Sequence, residues 1–378
     1  MDELLLIVQT INSYLSNYVL IVLLIGTGLF FTIRTRFVQV RCFGEGLKRL
    51  FGGFNLNGEK HKSGMSSFQA VATAIAAQVG TGNIVGACGA ILIGGPGAIF
   101  WMWLIAFLGM ATNYAEAVLA QKTRKVDADG TVHGGPVYYI KTAFHGKFGT
   151  FLAGFFAVAI ILALGFMGCM VQSNSIASTM NTAFGIPTWL MGIIIVIFAG
   201  FIFLGGLSRL ASVTEKVVPF MAIVYLIGGI AVLIANASHV GDAFFLIFEF
   251  AFNPNAELGG VTFGIIAALS QGAKRGLFSN EAGMGSASLA HAESSGTPAE
   301  QGCWGIVEVF LDTVVCCTLT ALAILSAGLG AVDESAAEAA FSKYFGGAGS
   351  AFLASSMFFF ALAAVMGWAF YGEKALGY

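Results

Sequence analysis

Residues 76–90 read AAQVGTGNIVGACGA, an apolar stretch that places Gln78, Thr81 and Asn83 among Gly80, Gly82, Gly86 and Gly89. In hydrocarbon an unpaired backbone amide or carbonyl is costly, so a helix broken there persists only where it lines a cavity or holds a ligand. At such a break the N-terminal end of the following half-helix offers N–H groups and a positive dipole to an anion such as a carboxylate. The end of the preceding half offers unpaired carbonyls to a cation. The glycines have a second explanation. Gly82, Gly86, Ala90 and Gly94 recur every four residues, which is a small-residue packing stripe. That stripe does not account for Gln78, Thr81 and Asn83. The stretch lacks the GK[ST] ending of a phosphate loop, and its glycine spacing does not fit a dinucleotide fingerprint.

A second group of candidates lies later in the chain. Glu308 and Asp312, in WGIVEVFLDTVV, are four residues apart and share a helical face. Two carboxylates in an apolar helix are expensive and point to cation coordination, proton relay or pairing with buried bases. A wet position near the cytoplasmic end is the plainer alternative for Glu308. Gln172, in MVQSNSIAS, can hydrogen-bond a substrate or bridge helices. Trp368 and Tyr371, in GWAFYGEK, suit an interface belt, and Trp368 suits equally the cap of a cavity. Glu116, in NYAEAV, reads as an interface or packing residue. Enzyme chemistry finds no support: His61, His133, His145, His239 and His291 lie in loops or near helix ends, with no HExxH and no GxSxG. The six cysteines form no CxxC and read as buried reduced thiols.

The elements that must position these residues are membrane helices. The chain is 57% hydrophobic and 10% charged, against about 25% charged in a soluble domain, and its mean hydropathy is +0.84. The net charge of -2 argues against nucleic-acid binding, which wants a basic face. Nine membrane segments are expected near 15–33, 66–93, 97–120, 150–180, 187–205, 214–236, 261–290 (irregular), 303–328 and 350–372. The apolar run 243–252 is too short to span and is expected as a helix outside the core. Basic residues collect on alternate loops: Arg34, Arg36, Arg41, Lys48, Arg49, Lys60 and Lys62; Lys122, Arg124, Lys125, Lys141 and Lys147; Arg209 and Lys216; Lys374. Those loops are cytoplasmic by the positive-inside rule. The opposite loops carry Asp242, Glu249, Glu257, Asp333, Glu334 and Glu338, with Lys343 the basic exception. The N-terminus therefore lies outside. Asp2 and Glu3 precede the first segment without a basic stretch, so a signal-anchor is expected rather than a cleaved signal peptide. No linker divides the chain, which reads as one transmembrane domain over 1–378. Two glycine-rich interruptions, QVGTGNIVG and SQGAKRGLFSNEAGMGS, lie about 200 residues apart and fit an inverted repeat.

The strings TGNIVG, RGLFSNEAGMGSASLAHA, GIVEVFLDT and GWAFYGEK together resemble the alanine or glycine:cation symporter family, in order along nearly the whole chain. The resemblance implies an all-α polytopic fold similar to the neurotransmitter:sodium symporters, a five-plus-five inverted-repeat core preceded by one extra helix. The second segment would be the first broken core helix and the seventh the other. It implies that the amides of Thr81 and Gly82 hold a substrate carboxylate. The carbonyls of Ala76 and Val79 would face one sodium ion. The Gln78 carbonyl and the Asn83 side chain would face a second. Gln172 would lie beside the substrate and Trp368 would close the pocket. In the seventh segment the break would fall at Ser270-Gln271-Gly272 or lower, near Ser279-Asn280. Lys274 and Arg275 require this segment to be sheltered or wet.

The chain departs from that family at two points. Ala363 and Ala364 stand where members usually carry hydroxyls that would complete a sodium shell. That leaves backbone-only ligation, another cation, or protons acting through Glu308 and Asp312. The fold would also need two more core helices after Tyr378, so a C-terminally truncated chain is expected. The expected function is secondary active symport of alanine or glycine with sodium or protons, by alternating access in a prokaryotic plasma membrane. No cofactor is expected beyond the co-transported ion. The alternatives are a carrier of another small solute, a channel, or a non-transporting truncated homologue.

Overall fold

The computed structural model describes residues 2–52, 64–253, 256–258, 261–328 and 336–378. Lys60, Lys62, Asp333 and Glu334 of the charge argument, and His61, lie outside the described residues. Among the described residues strands occur only as two short antiparallel pairs, Lys125–Val126 with Val132–His133 and Ala256–Leu258 with Val261–Phe263. Everything else that is regular is helix.

Among the described residues six helices are long and apolar enough to cross a bilayer: Glu3–Arg34, Gly97–Thr123, Gly146–Phe184, Gly206–Ala235, Pro298–Ser326 and Gly347–Leu376. Each exceeds the ~20 residues that a span requires. Ser67–Gln78 and Gly82–Gly94 make a further span, bent by 49° at its break. Thr188–Phe203, Ala237–Phe252 and Ile265–Asn280 are shorter helices. The chain is an all-α polytopic membrane protein; seven of the nine expected segments overlap these spans, whereas 187–205 holds the shorter Thr188–Phe203 and 261–290 holds Ile265–Asn280 and a break after it. Burial sorts the long helices into two sets. Gly97–Thr123, Pro298–Ser326 and Gly347–Leu376 are 61–67% buried in their apolar windows, whereas Glu3–Arg34, Gly146–Phe184 and Gly206–Ala235 are 11–28% buried. The first set, with the bent pair, forms the interior; the second offers its apolar side chains to lipid.

Local chemistry sets the helix ends. Ser66 and Gln69 form a capping box at the start of Ser67–Gln78, and Thr297 and Glu300 form another before Pro298. The first half-helix stops because Val79 is extended (φ −78°, ψ 94°). Helix Ile265–Asn280 is stopped by three left-handed residues, Glu281 (φ 56°), Gly283 (φ 99°) and Gly285 (φ 76°), and the chain resumes as Ala287–Glu293. Ser270-Gln271-Gly272 therefore lies inside an uninterrupted helix, and the lower of the two expected breaks is the one present. Wider π turns occur at Gly82–Gly86, Ile161–Gly168 and Phe310–Cys317, a distortion that recurs at functional sites.

Two expectations are corrected. The N-terminal helix begins at Asp2 rather than near residue 15. The run 243–252 is the end of a 16-residue helix, Ala237–Phe252, that buries Ala243, Ile247, Phe250 and Ala251. Gly97 permits this docking, since a Cβ there would lie 2.4 Å from the backbone of Phe250 and Ala251. Only its other face, with Phe245 and Phe252, is exposed. None of the six cysteines forms a disulfide.

Candidate functional site

The first break lies at residues 79–81, after the Gln78 end of the half-helix, where the last carbonyls have no following turn to accept hydrogen bonds from. Ala76 and Val79 sit in that last turn and are buried. The amides beyond it are taken by side chains. The Gly80 N–H donates to Oδ1 of Asn83 at 2.9 Å. The Thr81 N–H donates to Oε1 of Gln172 at 3.0 Å. Gln172 comes from the helix Gly146–Phe184 and is 1% exposed, so its carbonyl bridges that helix to this break. Gly82 follows with no room to spare: a Cβ would meet Ser279 Cα at 2.9 Å. The two interrupted helices thus touch at Gly82 and Ser279, a contact that only a residue without a side chain allows.

The second break lies at residues 281–286. Asn280 donates Nδ2 to Thr313 Oγ1 at 3.0 Å and accepts the Ala282 N–H on Oδ1 at 3.0 Å. Glu281 turns its carboxylate inward, accepting from Ser286 Oγ (2.5 Å) and from the indole Nε1–H of Trp368. Glu116 stands beside this break, its carboxylate near the backbone of Gly283 and Gly285. Trp368 is 1% exposed and packs edge-on against Phe278. It lies so close to Gly168 that a Cβ there would be 2.5 Å from the indole ring.

Asp312 joins the two breaks. Oδ1 accepts from Asn83 Nδ2 at 2.6 Å, and Oδ2 accepts from Thr313 at 2.8 Å, the hydroxyl that Asn280 donates to. Its position in the π turn Phe310–Cys317 aims both oxygens into the interior. Asn83 is held from the other side by Thr320, whose hydroxyl donates to the Asn83 carbonyl at 2.7 Å.

Glu308, one turn earlier, is fully buried and not wet. Its Oε1 accepts from Gln78 Nε2 at 3.3 Å, from His291 Nε2 at 3.1 Å and from Asn113 Nδ2. His291 Nδ1 lies 2.8 Å from Gln301 Oε1. Asn113, Glu281, His291, Gln301 and Thr313 were not singled out from the sequence. Asn113 carries a usable signal as a lone amide in an apolar helix. His291 sits at a helix end, where it resembled a surface residue.

Not every candidate converges. The Ser270 hydroxyl donates to Asn17 of the N-terminal helix at 2.8 Å, and Lys274 reaches the same Asn17 oxygen. Gln271 packs on Gly94. Both lie more than two turns before Asn280 in the same helix, and these contacts do not bring them to the breaks. Arg275 lies over Gly89. Ala364 faces Gly80, and Gly367 packs on the backbone of Ala77, which brings the Gly347–Leu376 helix against the first break. Ala363 and Ala364 are buried there with methyl groups alone. On the side of the basic loops the site is covered by polar links. Lys374 pairs with Glu293, and Arg124 donates to the carbonyls of Ala292 (2.8 Å) and Ser294. Burial raises the Glu293 carboxyl above its ordinary range, against the pull of Lys374.

Interrupted apolar helices, capped by side chains and crossed by a buried carboxylate, are an arrangement that suits a polytopic membrane transporter. The family is shown by direct similarity: the sodium:alanine symporter family matches residues 1–378, and the chain belongs to it. The chain is 40% identical over 381 residues to the sodium/alanine symporter AgcS of Methanococcus maripaludis, covering 98% of this chain and 83% of that one. It is 39% identical over 356 residues to the amino-acid carrier protein AlsT of Bacillus subtilis (93% and 74%). It is 38% identical over 379 residues to the B. subtilis protein named as a probable sodium/glutamine symporter, GlnT (98% and 77%).

Proposed function

We propose that this chain is a secondary active symporter that carries alanine, and the smaller glycine, together with sodium by alternating access around the two breaks. The observation that carries the reading is the Thr81 amide. It is a buried N–H at a half-helix start, held by the neutral carbonyl of Gln172 at 3.0 Å, the place a substrate carboxylate would take. A charged acceptor makes the stronger bond there, and the half-helix dipole adds to it. The substrate ammonium goes to the second break, where Glu281 supplies negative charge. The close approaches of Gly82 to Ser279 and of Gly168 to Trp368 support a small side chain on the substrate.

Sodium takes the carbonyl end of the first half-helix at Ala76 and Val79, with Asn83 and Asp312 near the substrate. With methyl groups at Ala363 and Ala364, the Ala76–Val79 shell relies on backbone oxygens. The inverted-repeat core is supported by the mirrored use of Asn83 and Asn280 at the two breaks. Because every site residue is buried, entry and exit require movement. In this reading the chain is one transmembrane domain of a prokaryotic plasma membrane, and the basic loops support an N-terminus outside. The relative named for glutamine keeps a larger neutral side chain as the second reading.

The test is uptake of labelled alanine into proteoliposomes with sodium and proton gradients imposed separately, in competition with glycine and glutamine. Sodium-driven alanine uptake that glycine inhibits is the expected result. Asp312→Asn should abolish sodium dependence or uptake; unchanged uptake and cation dependence would remove Asp312 from coupling.

A further inference from the structure

Glu308 is surrounded by groups whose oxygens have nothing to bind. Three nitrogens converge on its Oε1, from Gln78, Asn113 and His291. Its Oε2 has no partner, nor have Oε1 of Gln78 and Oδ1 of Asn113. The three residues are 0–2% exposed. A buried polar atom without a partner costs about 1–3 kcal/mol, and native proteins hold few of them. Three in one cluster, around one carboxylate, call for a ligand. All three are acceptors, and the two amide oxygens are bonded to the same carbons as nitrogens that touch Glu308. A carboxylate with neutral oxygens around it is the donor set of a hard cation.

A second observation is independent of these atoms. Gln78 is the last residue of the 12-residue helix Ser67–Gln78, and the C-terminal end of a helix dipole favours a cation. The base within reach of Glu308 is His291, at 3.1 Å.

We propose that Glu308, Gln78, Asn113 and the backbone carbonyl of Gly305 form a site for a monovalent hard cation, sodium. This deepens the symport reading and rests on it for the identity of the ion. The two amides act as a switch. In the arrangement seen here their NH2 groups face the carboxylate, and Asn113 also donates to the Gly305 carbonyl at 3.0 Å. Turning both amides over brings their oxygens to the ion and frees that carbonyl to join them. His291 stays on the carboxylate, positioned by Gln301. Gln78 immediately precedes the extended Val79, so the ion fixes the end of the half-helix whose break presents the Thr81 amide. Sodium at Glu308 thereby orders the substrate's carboxylate site without touching the substrate.

The test counts sodium ions on the purified full chain, by equilibrium binding of 22Na+ without amino acid, beside labelled-alanine uptake in proteoliposomes. Asn113→Ala and Glu308→Gln should each bind one sodium fewer than the parent. Asn113→Asp, which keeps an oxygen in place, should retain it within about tenfold in affinity. Monodispersity on size exclusion identifies variants that fold, and Gln78→Ala replaces any that does not. Unchanged sodium binding in the folded alanine or glutamine variants overturns the site, as does a parent that binds no sodium without amino acid. A variant that loses thermal stability but keeps every sodium marks the cluster as a water pocket and overturns it equally. Failure of the symport reading looks different: the parent itself shows no sodium-driven alanine uptake.

Discussion

The two breaks solve one problem with opposite chemistry. Each has an asparagine whose side-chain oxygen accepts an amide of the break and whose NH2 reaches the helix Pro298–Ser326. Asn83 follows its break and donates to Asp312; Asn280 precedes its break and donates to Thr313, which donates to the same Asp312. They part in the side chain that lines each break. At the first it is the neutral carbonyl of Gln172, which takes the Thr81 amide. At the second it is a carboxylate, Glu281, which accepts from the side chains of Trp368 and Ser286. A neutral acceptor yields to an incoming anion, whereas a carboxylate repels one and attracts an ammonium. The lesson is that a zwitterion can be oriented end to end by two breaks alike in backbone and unlike in cap.

The comparison breaks first at Gly82. Gly82→Leu forces a side chain into the Ser279 backbone at 2.9 Å, and should abolish alanine uptake while the protein still inserts. Normal uptake by a well-expressed Gly82→Leu chain would separate the two breaks and end the proposed site. Glu281→Ala should come next. It strips the carboxylate from Trp368 and Ser286, leaving two buried donors unpaired at about 1–3 kcal/mol each. The expected result is a large loss of thermal stability and uptake, with Glu281→Gln recovering stability but binding alanine more weakly. Equal alanine affinity in the parent and Glu281→Gln would show that the charge of the second cap does not matter.

Gln172→Ala tests the first cap. It leaves the Thr81 amide without its present acceptor, so the half-saturating alanine concentration should shift by about tenfold, the equivalent of ~1.4 kcal/mol, with the maximal rate much less affected. No shift would mean that the substrate carboxylate binds elsewhere. The smallest effect is expected at Ser270, whose hydroxyl reaches only to Asn17 of the N-terminal helix. Ser270→Ala should leave alanine uptake within about twofold of the parent; a tenfold loss would return that stretch of helix to the site.

Much of this was legible in the chain itself. A cluster such as Gln78, Thr81 and Asn83 inside an apolar run is expensive wherever it is placed in lipid, so its presence already marked the first break. The same reasoning marked Asp312 and Glu308, and length with hydropathy marked the spans. The second break was visible as a glycine-rich region but not as a place, because glycines occur along its whole length and Glu281 carries no sequence sign of its left-handed backbone. The N-terminal helix shows the same limit from the other side. Ser270 reads from the sequence as a substrate ligand and Lys274 as a charge in need of shelter; both reach Asn17, about 250 residues earlier.

Local composition determined which segments enter the membrane and which residues are too polar to be there without a reason, since the cost of an unpaired polar group depends on the group and its solvent. Only the tertiary structure decided which of those residues share a site. Asn83 and Asp312 are separated by 229 residues and Gln172 from Thr81 by 91, and a hydrogen bond is a statement about atoms within about 3 Å, a distance that no sequence spacing encodes once the helices have packed.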